Sequence, residues 1–239
     1  MAKKKKELRE RHWNRETMFG KNMSFVTSEA YKLLRTNVMF SFAGDSCHII
    51  GVTSAVSGEG KSLTACNLAY SMSELGKKVL LLDCDLRLPT VAEKLGLSRE
   101  PGVTNLLVTG GDFHRSVQKC PDAANLDVIP AGSASPHPTE LLSSEKMKSL
   151  MDELAKEYDY IVVDLPPVTV VSDALVLSGV LQGVVVVVRN GVVEEKALAD
   201  AMRQLKMVEM RVLGFVYNGS SITSKRSYSR YYIRYEKNG

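Results

Sequence analysis

Ala55-Val56-Ser57-Gly58-Glu59-Gly60-Lys61-Ser62 is the stretch whose reading decides the fold. It departs from G-x-x-x-x-G-K-[ST] only at its first position, where Ala55 replaces glycine. An apolar run over 48–53 predicts a strand before it, and residues 61–75 predict a helix after it, stopped by Gly76. In that context the backbone N–H groups of the loop wrap a phosphate, and the helix N-terminus adds a favourable dipole. The expected nucleotide contacts are Ser57, Gly58, Glu59, Gly60, Lys61, Ser62 and Leu63, with Lys61 reaching the β- and γ-phosphates of ATP and the Ser62 hydroxyl ligating Mg2+. Ala55 requires only a backbone that avoids positive φ.

Outward from the loop, strands are predicted over 79–83, 126–130, 160–164, 183–189 and 212–218, with helices over 144–156 and 193–207 between them. The strand at 79–83 is apolar on both faces, as in a parallel sheet covered on both sides, and that at 183–189 reads as another buried strand. Alternation of strand and helix implies βαβ crossovers and a doubly wound, mostly parallel α/β sheet. Upstream, Ser28 is a candidate cap for a helix from Glu29 to residue 40, with Ala30, Leu33, Leu34 and Val38 on its apolar side. Two strands end in carboxylates: Leu82-Asp83-Cys84-Asp85 and Val163-Asp164-Leu165. Ligands bind beyond the carboxyl ends of strands in open parallel sheets, so all three acids are expected near the phosphate loop. Asp164 is expected to hold Mg2+ directly or through water, Asp85 to help organise the metal, and Asp83 or Asp85 to orient or deprotonate an attacking hydroxyl.

Composition narrows the alternatives. Hydrophobic residues make up 44% and charged residues 24%, which is ordinary for a globular domain. Four dispersed cysteines, Cys47, Cys66, Cys84 and Cys120, form no CxxC pair and read as small core residues. No apolar run reaches the roughly 20 residues that span a bilayer, and the basic N-terminus lacks the apolar segment of a signal peptide, so a cytoplasmic location is expected. The net charge of +4 is uneven. Residues 1–15 carry +5 and residues 224–239 carry +4, which leaves the middle at −5. No basic face is therefore expected for nucleic acid. The expected organisation is a basic segment at 1–22, a nucleotide-binding domain at 23–218 and a tail at 219–239. Four of nine tyrosines, Tyr228, Tyr231, Tyr232 and Tyr235, lie in the last twelve residues, interleaved with Arg230, Arg234 and Lys237. Such a segment has little apolar surface with which to offset ordering entropy. Lys3-Lys4-Lys5-Lys6, Arg9, Arg11, Arg15 and Trp13 suit either weak contact with an anionic membrane surface or a solvated basic tail.

Together these motifs resemble the deviant-Walker branch of P-loop NTPases and, within it, the bacterial tyrosine kinases of capsular and exopolysaccharide synthesis. Residues 79–89, Val-Leu-Leu-Leu-Asp-Cys-Asp-Leu-Arg-Leu-Pro, resemble the family's second Walker-type motif. Ala131-Gly132 with Pro136-His137-Pro138-Thr139-Glu140 resembles a family loop that usually has Asn at His137. Ser28-Glu29-Ala30-Tyr31-Lys32-Leu33-Leu34-Arg35-Thr36-Asn37 is similar to a helix used in ring assembly. The resemblance implies ATP-dependent autophosphorylation of the four tail tyrosines and salt-bridged contacts through Glu29, Lys32 and Arg35 in a homo-oligomeric ring. It also implies Asn218 near adenine, activation by a transmembrane adaptor of the polysaccharide co-polymerase type, and an opposing tyrosine phosphatase. The chain would then sit at the inner face of the plasma membrane through its adaptor. Two other functions share the same loop. A partitioning or positioning ATPase would carry an extra lysine where Val56 stands and may end in an amphipathic helix; a nucleotide-switched adaptor would lack kinase activity.

Overall fold

The computed structural model describes residues 23–44 and 46–219. The expectations for residues 1–22 and for Tyr228, Tyr231, Tyr232 and Tyr235 fall outside them. Seven strands form one sheet: β1 (His48–Ser54), β2 (Val79–Asp83), β3 (Gln118–Lys119), β4 (Leu126–Ile129), β5 (Tyr160–Asp164), β6 (Gly183–Arg189) and β7 (Val212–Asn218). Their order is β3-β4-β2-β5-β1-β6-β7. Every pairing is parallel except the short edge pairing of β3 with β4. The helices are α1 (Phe25–Phe40), α2 (Lys61–Ser73), α3 (Val91–Leu95), α4 (Val103–Thr109), α5 (Pro138–Leu142), α6 (Glu145–Leu154) and α7 (Glu195–Met207).

The pleat divides the core into two layers. On one face Ile50, Val52, Leu81, Val162 and Val185 pack with Ala65, Leu68 and Met72 of α2 and with Val38 of α1. On the other face Leu80, Leu82, Ile161, Val163, Val184 and Val186 pack with Met147, Met151 and Leu154 of α6 and with Ala201 and Leu205 of α7. Each fully buried aliphatic side chain contributes about 1.5–3 kcal/mol. This two-sided burial is why β1, β2, β4 and β5 are buried along their whole length. The chain leaves β1 toward β2 on one side and returns through β5 to β6 on the other. The carboxyl end of β1 is therefore the crevice where a doubly wound sheet takes its ligand.

The first described helix corrects one expectation. It begins at Phe25, four residues before Glu29, because the Ser24 hydroxyl, rather than Ser28, caps it by accepting the Thr27 N–H at 3.2 Å. Its buried stripe is also rotated. Tyr31, Leu34, Arg35 and Val38, at i, i+3, i+4 and i+7, face inward, whereas Leu33 is 57% exposed and Ala30 is exposed. The reason is polar rather than apolar. Tyr31 hydrogen-bonds Asn67 and Thr64 of α2. Arg35 Nη1 donates to the Ser71 carbonyl at 2.5 Å and lies 3.8 Å from Glu74. Arg35 thus satisfies the C-terminal end of the helix whose N-terminus faces the phosphate site. Glu29 and Lys32 pair with each other at 2.8 Å on the surface. The three side chains expected on one outward side therefore divide, two outward and Arg35 inward.

Candidate active site

The loop after β1 turns through Gly58 at φ +86° and Gly60 at φ +95°, conformations that residues with a Cβ rarely adopt. A Cβ on Gly60 would also stand 2.3 Å from Asn218 Nδ2. Ala55 is fully buried and keeps a negative φ, as its side chain requires. The Glu59 side chain does not face a phosphate. It is fully buried and braces the loop, one oxygen accepting the Val56 N–H at 2.8 Å and the other the Arg189 N–H at 3.1 Å. Arg189 Nη1 donates to the Gly58 carbonyl at 3.0 Å, and Asn218 Nδ2 to the Glu59 carbonyl at 2.8 Å. The ends of β6 and β7 therefore brace the loop. Nothing local in the sequence signals the contribution of Arg189, because its partners lie about 130 residues away. Asn218, carried by resemblance to the adenine side, sits over the phosphate loop.

Lys61, Ser62, Asp85 and Asp164 converge. Lys61 Nζ lies 2.6 Å from Asp85 Oδ2, 3.7 Å from Asp164 Oδ1 and 3.2 Å from Ser62 Oγ. Burial works to lower the Lys61 pKa, but Asp164 and Asp85 outweigh it and hold the ammonium above its ordinary value. Asp85 is nearly buried, and its second oxygen accepts the Leu88 N–H at 3.1 Å. Asp164 is completely buried, and neither of its oxygens has a hydrogen-bond donor of ordinary geometry. Burial raises its carboxyl pKa, while Lys61 and the nearby Ser62 hydroxyl oppose that rise only in part. Asp83 lies one layer deeper. Its oxygens accept the Asp85 and Val91 N–H groups at 3.2 Å each, and burial and then Asp164 push its carboxyl well above the usual range. In this arrangement Asp83 holds its loop and is sealed from solvent.

This arrangement fits a divalent cation. A buried carboxylate without donors, beside a hydroxyl and a second carboxylate, is a costly arrangement unless a cation completes it. No three His, Cys, Asp or Glu side chains among the described residues form a ready metal cage. Mg2+ takes one or two carboxylates and completes its shell with phosphate and water. Ser62, Asp85 and Asp164 are the residues that would hold it. Among the described residues no helix is long and apolar enough to cross a membrane.

Comparison with known proteins identifies the family. Residues 46–239 match the ParA family, described as NUBPL iron-transfer P-loop NTPase. The tyrosine-protein kinase YwqD of Bacillus subtilis (strain 168) is 38% identical over 206 residues, 86% of either chain. The kinase domain of the Escherichia coli tyrosine kinase ETK superposes with a TM-score of 0.76 at 27% identity, covering 90% of this chain and 89% of that one. MinD, the septum site-determining protein of Pyrococcus horikoshii OT3, complexed with Mg-ADP, has a TM-score of 0.61 at 21% identity, covering 74% of this chain and 72% of its own, and shares the fold alone. The chain belongs to the ParA-type P-loop NTPases and, among them, to the bacterial tyrosine-protein kinases.

Proposed function

We propose that the chain binds Mg-ATP at the loop 57–63 and transfers the γ-phosphoryl group to Tyr228, Tyr231, Tyr232 and Tyr235 of a neighbouring copy. The observation that carries this reading is the convergence of Lys61 with Asp85 and Asp164 at the mouth of a braced loop. Lys61 now neutralises two carboxylates. On binding, its ammonium would turn to the β- and γ-phosphates, because a nucleotide brings a larger negative charge to the same place. Mg2+ would supply charge neutralisation between the phosphates and a template for in-line displacement. The bond from the γ-phosphorus to the bridging oxygen breaks, ADP leaves, and a new bond forms to the phenolic oxygen. The phenolic proton passes to a carboxylate of the 83–85 pair or to solvent. Asp83 is assigned to orient or deprotonate the phenol, which requires its loop to shift and expose it. Asp85 is the alternative for that role, because it already borders the site. Asn218, which donates to the Glu59 carbonyl of the loop, is retained as a nucleotide contact.

The pathway assignment rests on the family. Regulation of capsular or exopolysaccharide synthesis, activation by a transmembrane adaptor at the inner membrane face, reversal by a tyrosine phosphatase and assembly into a ring are parts of the same proposal. Each phosphate adds roughly −1.5 to −2 charge, so phosphorylation of all four tyrosines reverses the sign of a tail that carries +4 over residues 224–239. That reversal would loosen a tail docked on an acidic domain and favour ring release. The test mixes a Lys61→Met chain bearing an intact tail with an active chain whose four tail tyrosines are Phe. Label on the Lys61→Met chain within residues 228–235 supports transfer between copies. Hydrolysis of ATP with no label on either tail would return the chain to the positioning-ATPase or switch class.

A further inference from the structure

A second polar cluster sits on the same edge of the sheet, outside the nucleotide contacts. Asp173, in the 3-10 turn Ser172–Ala174, is completely buried. Arg87 donates to it with both arms of its fork, Nε to Oδ2 at 2.7 Å and Nη2 to Oδ1 at 3.0 Å. The Thr139 hydroxyl donates to the same Oδ1 at 2.5 Å and accepts from Arg87 Nη2 at 3.1 Å. Three donors thus close on one buried carboxylate. The three residues come from three separate loops: Arg87 follows β2, Thr139 lies in the first turn of α5 beyond β4, and Asp173 follows β5.

Two of those loops carry the site's acids. Arg87 is two residues beyond Asp85 and four beyond Asp83, and Asp173 is nine beyond Asp164. The register Asp83↔Asp164 puts the roots of the two loops side by side, and the Cys84 N–H donates to the Asp164 carbonyl at 2.9 Å. We infer that Arg87, Asp173 and Thr139 form a positioning clamp that fixes the spacing of the 83–89 and 164–175 loops, and so sets Asp83, Asp85 and Asp164 for phosphoryl transfer. None of the three touches the phosphate loop, so the clamp governs the rate of transfer and leaves nucleotide affinity to residues 57–63. A planar fork is needed because lysine presents a point charge with no second arm.

This inference rests on the kinase reading, so the experiment follows two reactions. Arg87→Lys, Thr139→Val and Thr139→Ser are made in the full chain, with tail phosphorylation, ATP hydrolysis, binding of a fluorescent ADP analogue and Tm measured for each. Arg87→Lys and Thr139→Val should lower the kcat of whichever reaction the wild type performs by about tenfold or more, since sub-ångström displacement of reacting groups has effects of that size. Analogue affinity should stay within about threefold, because the clamp does not touch the loop that supplies it. Thr139→Ser should restore kcat, since it keeps the hydroxyl. In the double variant the two losses should be far from additive. Unchanged kcat, affinity falling in step with kcat, or activity that tracks only the folded fraction would each overturn the clamp. A wild type that hydrolyses ATP without labelling any tail would instead reject the tail proposal, and the clamp is then judged on hydrolysis.

Discussion

The two edges of the central sheet use buried polar groups in opposite ways. At the amino edge, His48 stacks on Phe42 at 4.6 Å and tilts against Tyr160 at 5.6 Å. Its Nδ1–H donates to Gln182 Oε1 at 3.1 Å, while Gln182 Nε2 donates to the Cys47 carbonyl at 3.1 Å. Arg211 closes the group by donating to the Ser41 carbonyl at 2.8 Å over the Phe42 ring. Each of these polar groups has a partner suited to it. At the carboxyl edge one lysine serves two carboxylates, and around the fully buried Asp164 only that lysine and the Ser62 hydroxyl oppose the effect of burial, in part. The amino edge is built to stay as it is. The carboxyl edge gathers buried charge, and under the proposed function Mg-ATP would relieve it, as binding sites trade stability for function.

That contrast can be broken in several ways, taken here from the largest effect to the smallest. Lys61→Met should lower phosphoryl transfer by about 10³-fold or more, read as label incorporated per minute. Asp164→Asn is the sharper test, because it should lower transfer by about 10²-fold or more while raising Tm by about 2–4 °C. A large fall in its Tm would mean that Asp164 is stabilising and the two edges are alike. The pH dependence has a definite sign. Asp83 and Asp164 keep protons in the folded state that the unfolded chain has released, so on their account stability falls as pH rises above about 3.8. Asp164→Asn should flatten that slope in nucleotide-free protein, and denaturant titrations from pH 4 to 8 measure it.

At the amino edge the signs reverse. His48→Ala or Gln182→Ala should cost about 1–3 kcal/mol of stability through stranded polar groups and lost stacking, with kcat within twofold of wild type. Arg35→Ala should cost about 1–2 kcal/mol by uncapping α2, whatever it does to assembly. Light scattering of a Glu29, Lys32 and Arg35 triple-Ala variant tests the ring separately, and a wild type that is monomeric in every nucleotide state would dismiss it. The smallest effect is chemical. Burial pushes Cys47 up to about 11 and Cys66 and Cys84 well above their ordinary value, and it raises Cys120. The native protein should therefore resist iodoacetamide at pH 8 and react at all four thiols once unfolded.

What the sequence disclosed follows the range of each signal. The strands at 79–83, 160–164 and 183–189 are found with those boundaries, because burial on both faces writes a continuous apolar run, and the strand at 212–218 is found with its boundaries too, though it is only partly buried. The phosphate loop was legible because its glycines, lysine and serine act within eight residues. The short helices α3, α4 and α5 and the edge strand β3 were not, since five to seven residues, or two, carry too little periodicity. The rotation of α1 was missed because Tyr31 and Arg35 answer to polar partners on α2 that no hydrophobic pattern encodes. The brace from Arg189 to Glu59 and the carboxylate of Asp173 depend on partners 130 and 86 positions away. Charge and spacing brought Asp83, Asp85 and Asp164 to one edge correctly, but only coordinates separate Asp85 at the mouth from Asp83 behind it.

The bond from Asn218 to the Glu59 carbonyl has a kinetic consequence. It moors the chain at its own phosphate loop, and Tyr228 follows ten residues later. Ten residues reach at most about 35 Å, which bounds how far Tyr228 can lie from that bond. A tethered group within that radius competes at millimolar effective concentration. The order of the reaction then reveals which copy serves as acceptor. Phosphorylation by a chain's own site proceeds at a rate per molecule that ignores dilution, whereas exchange between copies slows in proportion to dilution until assembly takes over. An initial rate followed across a hundredfold dilution therefore reads the geometry of the mooring directly.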